Sequence, residues 1–241
     1  MHTVVDDTAA YFDPGYFEWQ ADRAAVSARA VVPLLIQLVG PVSVVDLGCG
    51  TGAWLQVFGE HGVEDVVGID GSHIDQSQLR IPADRFVAAD LAEPPELGRT
   101  FDLALTLEAM HYAPEEAASA IVAALASWAP VVYFSAAVPH QTGGPGLNRR
   151  WPSYWADLFA REGLRCYDLL RSRLWEHPEV DWWYAQNGLL FARDGALRNA
   201  EPVDPLPLVH PELLNHVAEQ RPPDPPAPRG WLRRLRGTPD A

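Results

Sequence analysis

The sequence predicts an α/β fold with a doubly wound, mainly parallel sheet of seven strands. Short apolar runs rich in β-branched residues alternate with segments of helical periodicity between residues 42 and 193. This alternation is typical of a parallel sheet that carries helices on both faces. The chain has 241 residues, 48% of them hydrophobic, so it can bury a large core without disulfides or a metal.

The individual elements are predicted from periodicity and from the residues that begin and end helices. Pro33 is expected to kink or split the first helix, whereas Pro114 suits the first turn of a later one. Residues 1–20 are aromatic and irregular. The predicted helices are residues 21–39, 53–61, 114–128 and 151–162. The predicted strands are residues 42–47, 65–69, 85–88, 101–106, 131–135, 164–171 and 188–193.

The pattern divides the chain into a helical or lid segment (1–40), the main α/β domain (41–194) and a proline-rich tail (195–241). Five prolines crowd residues 222–228, where regular helix or sheet is not expected. Residues 229–236 form a short basic amphipathic piece, which could dock on the protein's own acidic surface, on a partner or on a membrane; a disordered tail is the alternative.

Charge and composition exclude several classes of function. The 32 acidic residues outnumber the 18 basic ones, all of them arginines, and the formal charge is −14. Such a surface repels nucleic-acid backbones, so no nucleic-acid partner is expected; a homodimer is possible. Cys49 and Cys166 provide no disulfide framework, and no metal site is expected. The sequence has neither a signal-peptide pattern nor a transmembrane segment, which predicts a cytoplasmic location.

The strongest functional signal is the segment 44–52, where a strand turns into a helix. Glycines at positions 48, 50 and 52 allow a tight turn and a close approach of a ligand to the backbone. Asp46 precedes them, and a carboxylate there suits a cationic ligand group better than a pyrophosphate. The second strand leads to Asp70, about twenty residues later, where a ribose diol is expected. The third leads to Asp90, which could accept a hydrogen bond from an adenine amino group.

These residues together resemble the class I S-adenosylmethionine-dependent methyltransferases, over about residues 42–136. The resemblance implies a Rossmann-like fold with an antiparallel last strand, S-adenosyl-L-methionine as cofactor and S-adenosyl-L-homocysteine as product. It implies that the glycine loop holds the methionine part, that the acid after the second strand binds the ribose, and that the acid after the third contacts the adenine. The candidate cofactor-binding residues are Asp46, Gly48, Cys49, Gly50, Gly52, Asp70, Gly71, Asp90, Leu91 and Glu108.

The end of the fourth strand carries the candidate catalytic residues. The run from Phe101 resembles the family's fourth motif and leads into Glu108. In a subgroup from polysaccharide and natural-product gene clusters this stretch reads Leu-Glu-x-x-Glu-His, and His111-Tyr112 stands here in place of the Glu-His pair. Methylation of an alcohol or phenol needs a general base. The candidates are His111, His140 after the fifth strand, and Glu108, which could alternatively position the acceptor.

The same subgroup resembles this chain at several later positions that could contact an acceptor. Its usual His in the glycine-rich loop is Gly146 here, and its acid after Asn148 is Arg149. An arginine there could bind a carboxylate or phosphate of the acceptor. The aromatic run at 182–184 could stack on an acceptor or pack in the core. The candidate substrate-binding residues are Tyr112, Asn148, Arg149, Trp151, Trp183 and Tyr184, and residues 11–19 are a candidate lid.

The sequence thus predicts methyl transfer from S-adenosylmethionine to an oxygen or nitrogen atom of a small molecule, such as a sugar or natural-product intermediate. Three alternatives remain at this stage. One is a cyclase that uses the aminobutyryl arm of S-adenosylmethionine and releases methylthioadenosine. The second is a cofactor-binding partner protein without enzymatic activity. The third is a dinucleotide dehydrogenase, because a relaxed dinucleotide fingerprint also fits Gly48, Gly50 and Ala53.

Overall fold

The computed structural model describes residues 14–141 and 146–220, with the side chains of residues 20–141 and 146–219. The helices are α1 (Pro14–Val39), α2 (Ala53–Glu60), α3 (Ala118–Trp128), α4 (Pro152–Arg161), α5 (Arg171–Leu174), α6 (Trp182–Asn187) and α7 (Pro211–Gln220). The strands are β1 (Ser43–Leu47), β2 (Asp65–Asp70), β3 (Phe86–Ala88), β4 (Leu103–Leu107), β5 (Val131–Ser135), β6 (Arg165–Tyr167) and β7 (Leu189–Ala192). Together they form the α/β fold that the sequence predicts.

All seven strands belong to one sheet with the order β3-β2-β1-β4-β5-β7-β6. The pairings among β1 to β5 are parallel, and β7 runs antiparallel to both β5 and β6. The expected antiparallel last strand is therefore confirmed. The strand order reverses between β1 and β4, and the carboxyl end of a sheet at such a switch point is the preferred place for a ligand.

Helices cover both faces of the sheet, and each face has its own apolar cluster. On one face, α1 and α2 contribute Leu35, Leu55 and Phe58, all without solvent exposure. On the other, α3 and α4 contribute Ile121 and Phe159, again fully buried. Apolar side chains point to both faces of the central strands, because a strand buried on both sides has no solvent-facing positions. This arrangement fixes the loops at the sheet's carboxyl end.

The first helix is longer than predicted and is not split. It begins at Pro14 rather than at residue 21, consistent with the preference of proline for the first position of a helix. It also continues through Pro33. Pro33 is exposed, so water can bond the carbonyl group that the missing proline N–H leaves unpaired. The candidate lid extends outside the described residues, which include neither 11–13 nor the side chains of 14–19.

Several predicted boundaries shift where side chains have other partners. The strand predicted at 164–171 ends at Tyr167, and Arg171 begins α5 instead. The guanidinium of Arg171 is 1% exposed and donates to Asp168 and to the carbonyl of Leu206. Val42 is 74% exposed and lies outside β1.

The helix predicted from Pro114 is a 3₁₀ turn at Glu115–Ala117 followed by α3. The remaining bounds of the predicted helices and strands agree with the structure to within two residues. The aromatic run at 182–184 is helical, as the first half of α6, so its side chains do not alternate between two faces as they would on a strand.

The segment predicted as a proline-rich tail includes a helix and packs on the domain within its described part. The backbone N–H of Val203 donates to the carbonyl of Cys166 on the edge strand β6 at 2.9 Å. Leu213 of α7 is 2% exposed. The prolines at 222–228 and the basic piece at 229–236 lie outside the described residues. Within the described part of the chain, no helix is both long and apolar enough to cross a bilayer.

Candidate active site

A cavity of about 500 Å³ lies at the carboxyl ends of β1, β2, β3 and β4. The loops that follow these four strands form its floor and sides, and residues from α1 and α6 complete it. Its position is the switch point between β1 and β4. The cavity has the size of a site for a cofactor or a drug-sized molecule.

The glycine loop between β1 and α2 forms one wall of this cavity. Gly48, Gly50 and Gly52 have φ angles of +83°, +55° and +86°, a left-handed conformation that side chains disfavour. A Cβ atom at Gly48 would also overlap the Cβ of Ala109 on the neighbouring loop. Gly52 precedes α2 without a side-chain cap. The three glycines at alternate positions are therefore required by the backbone path.

Asp46 on β1 is a carboxylate buried beneath this loop. It is 2% exposed, and its Oδ1 has no hydrogen-bond partner among the described residues. Burial, together with the nearby charge of Asp70, raises the pKa of Asp46 to about 7. A buried acceptor without a partner is unfavourable in a folded protein unless a ligand or water supplies the missing donor. Asp46 is thus suited to a ligand that brings a positive charge or N–H donors.

Asp70 at the end of β2 lies across the loop and binds backbone amides. Its carboxylate accepts hydrogen bonds of 2.7 Å from the N–H groups of Gly50 and Gly71. His73 is close as well, with 3.8 Å between its Nε2 and the Asp70 Oδ1. Burial raises the pKa of Asp70, and the two backbone hydrogen bonds oppose the rise. The carboxylate therefore joins the glycine loop to the end of β2.

Of the other predicted cofactor residues, Gly52 is absent from the described lining of the cavity, whereas those near Asp70 and after β3 line it. Asp90 and Leu91 follow β3, and the carboxylate of Asp90 accepts a bond of 2.8 Å from the N–H of Ala92. Gly71 and Cys49 also line the cavity. Burial raises the pKa of the Cys49 thiol, which keeps it protonated at neutral pH.

Glu108 lies where β4 leaves the sheet, and it lines the same cavity. Its backbone has a φ of +53°, which is uncommon for a residue other than glycine. The backbone N–H donates to the carbonyl of Ser135 at 2.9 Å and to its Oγ at 3.1 Å. Strained backbone of this kind is concentrated at functional positions, where surrounding contacts hold it in place.

Two buried amide side chains hold the carboxylate of Glu108. Gln141 donates from Nε2 to Oε2 at 2.8 Å, and Asn187 donates from Nδ2 to Oε1 at 2.9 Å. Burial raises the pKa of Glu108 to about 7, although the hydrogen bonds from Asn187, Gln141 and Ser135 lower it. Such a carboxyl can take up and release a proton near neutral pH, which is what a general base requires.

Comparison with known proteins identifies the chain. The pattern of the family described as "Methyltransferase domain" matches residues 19–185. The chain belongs to this methyltransferase family. The match contains the glycine loop, Asp70, Asp90 and Glu108, so the family assignment and the cavity rest on the same part of the sequence.

Solved structures share the fold of this methyltransferase at low identity. The sugar N-methyltransferase KedS8 from Streptoalloteichus sp. is 18% identical, with a TM-score of 0.58 and coverage of 80% of this chain and 99% of that one. DesVI from Streptomyces venezuelae is 18% identical, with a TM-score of 0.55 and coverage of 78% and 98%. CalS10, an amino pentose methyltransferase from Micromonospora echinaspora solved with S-adenosylmethionine bound, is 17% identical, with a TM-score of 0.54 and coverage of 76% and 98%. None of the curated proteins matches the sequence.

The two histidines that the sequence proposes as bases are absent from the described lining of the methyltransferase's cavity. His111 is 5% exposed, and its ring contacts that of Tyr112 with 4.3 Å between centroids. Burial and the nearby charge of Arg149 lower the pKa of His111 to about 3, so the ring is neutral at pH 7. His140 is exposed and has a left-handed backbone with a φ of +71°.

The predicted substrate-binding residues are divided between the cavity and its surroundings. Tyr112 and Tyr184 line the cavity, and Tyr184 contacts Trp54 edge-to-face at 5.1 Å between centroids. Trp183 packs against the core and lies 5.0 Å from the guanidinium of Arg23. The other three predicted residues belong to the segment before α4 and do not appear in the described lining; these are Asn148, Arg149 and Trp151.

Trp54, Gln141 and Asn187 extend the site of the methyltransferase beyond the predicted residues. Trp54 lies in the first turn of α2, directly after the glycine loop, and that position could have suggested it. Gln141 lies in the loop after β5, and Asn187 is the last residue of α6. No local sequence pattern marks either of them as part of a site. Among the described residues no group of three or more His, Cys, Asp or Glu side chains is arranged to hold a metal ion.

Proposed function

We propose that this methyltransferase uses S-adenosylmethionine to methylate a small molecule, and that the acceptor atom is an amine nitrogen in preference to a hydroxyl oxygen. The observation that carries the proposal is the charge of the cavity. Four carboxyl groups line it, and no arginine belongs to the described lining. The carboxyl groups are those of Asp46, Asp70, Asp90 and Glu108.

The residues around the glycine loop fit S-adenosylmethionine. The unpartnered oxygen of Asp46 suits the positively charged amino group of the methionine part, which would supply the missing donor. Asp70 suits the ribose hydroxyls, and the loop at Asp90 and Leu91 suits the adenine. Space beside Gly50 supports this fit, since no atom lies within 4 Å of the position that a Cβ would take there. CalS10 was solved with this cofactor bound.

The chemistry that the chain must add is limited. When bound, S-adenosylmethionine supplies a methyl group on a positively charged sulfur, which needs only a correctly placed nucleophile. Glu108 provides a carboxylate at the end of β4 that can pair with a protonated amine and take up its proton, which frees the nitrogen lone pair. Its pKa of about 7 allows the proton to leave again to solvent near neutral pH.

The charge of the cavity also selects among acceptors. A phosphate or carboxylate on the acceptor would approach four acids, and the one described basic side chain in the lining is His73, which lies 3.8 Å from Asp70. An amine instead arrives with the complementary charge. The N-terminal residues 1–19 add four acids and neither arginine nor lysine to the chain. Two of the structural neighbours are a sugar N-methyltransferase and an amino pentose methyltransferase. We therefore propose an amine, such as an amino sugar, as the acceptor class.

Calorimetric titration with S-adenosylmethionine, S-adenosylhomocysteine and NAD tests the cofactor. We expect micromolar binding of the first two and none of NAD. The variant Asp46→Asn should bind them more weakly, whereas Asp65→Asn is a matched control, because Asp65 pairs with Arg99 and Arg85 away from the cavity. Binding of NAD alone would contradict the proposal.

Matched acceptors test the amine preference once the cofactor binds. Glucosamine, glucose and glucosamine 6-phosphate differ only in the amine and the phosphate, and release of S-adenosylhomocysteine reports turnover of each. We expect turnover to be fastest with glucosamine and to fall on addition of the phosphate. Equal or faster turnover of glucose would refute an amine acceptor while leaving the methyltransferase activity intact. Release of methylthioadenosine would instead indicate use of the aminobutyryl arm.

A further inference from the structure

The carboxyl group of Glu108 is connected to the C-terminal segment (residues 200–220) through consecutive hydrogen bonds. The backbone N–H of His210 donates to the Gln186 Oε1 at 2.7 Å. The Nε2 of Gln186 donates to the Asn187 Oδ1 at 2.8 Å. The Nδ2 of Asn187 donates to the Oε1 of Glu108 at 2.9 Å. Each amide thus has its orientation fixed by the group before it.

The two amide side chains are buried, so their orientation decides whether Glu108 meets a donor or an acceptor. Gln186 is 1% exposed and Asn187 is 4% exposed. An amide side chain can be turned so that its oxygen and nitrogen exchange places. With Asn187 turned, its oxygen would face Glu108, and a carboxylate would meet an acceptor instead of a donor. Gln186 opposes this orientation, because its Nε2–H needs the Asn187 oxygen, and the N–H of His210 fixes Gln186 in turn. The Gln141 Oε1, which accepts from the Asn187 Nδ2 at 3.0 Å, opposes it from the other side.

The C-terminal segment is attached to the domain at several points beside this contact. His210 Nδ1 accepts from the N–H of Glu212 at 3.2 Å, so its proton is on Nε2, which donates to the carbonyl of Trp175 at 2.8 Å. The His210 and Trp175 rings are in contact, with 4.9 Å between centroids. Arg171 holds the carbonyl of Leu206 at 2.9 Å. These contacts position the His210 N–H against Gln186.

The family match ends at residue 185, immediately before Gln186. The residues from Gln186 onward, including the C-terminal segment, therefore extend beyond the part that defines the family. Their contacts nevertheless reach a carboxyl group that lines the cavity.

We propose that the C-terminal segment is a positioning element of the active site, which fixes the amides of Gln186 and Asn187 and thereby orients the carboxyl group of Glu108. Gln186 and His210 are positioning residues in this scheme, since neither lines the cavity in its described part. The inference rests on the proposed role of Glu108 in methyl transfer. It does not depend on which molecule is the acceptor.

The titration of Glu108 tests the proposal without a substrate. Glutamate labelled with carbon-13 at its carboxyl carbon reports the pKa of each glutamate by NMR in the intact protein, and Glu108→Gln identifies the signal. The hydrogen-bond partners of Glu108 are Gln141, Asn187 and Ser135, none of which titrates in this pH range. The ionisable groups that interact with Glu108 are the hydroxyls of Tyr133 and Tyr184. Both phenols are protonated in this pH range, because burial raises their pKa.

Gln186→Met removes the amide while retaining an apolar body of similar length. Asn187 then loses one of the two groups that orient it and keeps its donation to the Gln141 Oε1. Its donation to Glu108 weakens, and the pKa of Glu108 should rise by up to about one unit. Loosened packing that admits water would change the pKa in the opposite direction, because it relieves the burial that raises it. An unchanged or lowered pKa in folded Gln186→Met would therefore overturn the proposal.

A second variant keeps the test valid if Gln186→Met does not fold. His210→Ala removes the contacts with Trp175 without altering Gln186, and a smaller rise in the pKa of Glu108 is expected. Leu214→Ala is the matched control, because Leu214 belongs to the same segment and is 60% exposed. The pKa of Glu108 in the control should equal that of the wild type, and an equal rise in the control would also overturn the proposal.

Activity measurements separate this inference from the proposed function. Both variants should bind S-adenosylhomocysteine like the wild type, since Asp46 and the glycine loop are unchanged. With the best amine of the acceptor panel, kcat should fall about tenfold in Gln186→Met, and its dependence on pH should move upward with the pKa of Glu108. A wild-type protein that neither binds the cofactor nor methylates any acceptor contradicts the proposed function, whereas the NMR result still decides the positioning role.

Discussion

The side-chain amide of Asn187 donates a hydrogen bond of 2.9 Å to the carboxylate of Glu108, although 79 residues separate the two in the chain. Gln141 donates to the other oxygen, and the same two amides bond each other, Asn187 Nδ2 to Gln141 Oε1 at 3.0 Å. Glu108 directly follows β4, Gln141 belongs to the loop after β5, and Asn187 ends α6. An acid held in this way has a fixed orientation and a pKa near neutrality, which are two requirements of an efficient proton acceptor.

Replacement of this acid should separate catalysis from cofactor binding. Glu108→Gln retains the size of the side chain but cannot accept a proton, so kcat should fall by about 100- to 10,000-fold, with little change in S-adenosylmethionine affinity. The wild-type rate should fall as pH drops below about 7, because protonation removes the active carboxylate. Steady-state kinetics from pH 5.5 to 8.5, with calorimetry for the cofactor, measures both. A Glu108→Gln rate within twofold of the wild type would exclude Glu108 as the base.

The sheet and the glycine loop were predictable because their signals are local. A run such as Val44-Val45 identifies a buried strand, and glycines at alternate positions after Asp46 identify a tight turn whatever the rest of the chain does. Gly48 shows the limit of such a signal. Its conformational requirement is readable from the pattern, but the overlap of a Cβ with Ala109 depends on how β4 lies beside β1.

The environment of Glu108 was not predictable, because its partners lie 33 and 79 residues away. The 3₁₀ turn at Met110–Tyr112 likewise could not be predicted, and it decides which of its side chains reaches the cavity. The rings of His111 and Tyr112 are in contact, but His111 is 5% exposed. Tyr112 lines the cavity and His111 does not, which spacing along the sequence could not reveal.

The affinity for S-adenosylmethionine should increase with pH through the titration of Asp46. Its pKa of about 7 means that part of the cofactor-free protein carries a proton there at neutral pH, and binding of a cation must release it. Calorimetry at pH 7 in two buffers of different ionisation enthalpy should detect the release of about half a proton per site. Asp46→Asn should abolish the release and weaken binding by about 10- to 100-fold.

The same acid should make the cofactor-free protein less stable at high pH. An aspartate in an unfolded chain has a pKa of about 4, whereas burial raises the pKa of folded Asp46 to about 7. Between these values the folded state holds a proton that the unfolded state has lost, so Asp46 lowers the stability as pH rises through this window. The melting temperature of Asp46→Asn should therefore be several degrees above that of the wild type at pH 8 and equal to it at pH 4. Equal melting temperatures at pH 8 would argue against a raised pKa.

Substitution of His111 should affect stability rather than the pH dependence of the rate. The ring is buried and uncharged, with its pKa lowered to about 3, and its Nδ1 has no hydrogen-bond partner among the described residues. His111→Asn removes its contact with Tyr112 and should lower the free energy of unfolding by about 1 to 3 kcal/mol. The fall of the rate below about pH 7 should be retained in His111→Asn. If that fall disappears in His111→Asn, the base is His111 and not Glu108.

The glycine loop offers a matched pair of substitutions for the close approach at the cavity wall. Gly48→Ala places a Cβ against Ala109 in a left-handed backbone, so both stability and cofactor affinity should fall, the former by about 2 kcal/mol or more. Gly59 lies on α2, and no atom is within 4 Å of the position that its Cβ would take. Gly59→Ala should instead stabilise the protein by about 0.5 to 1 kcal/mol, because alanine loses less entropy in a helix. Urea unfolding and calorimetry of both variants measure the difference, and equal stabilities would show that the loop relaxes to accept a side chain.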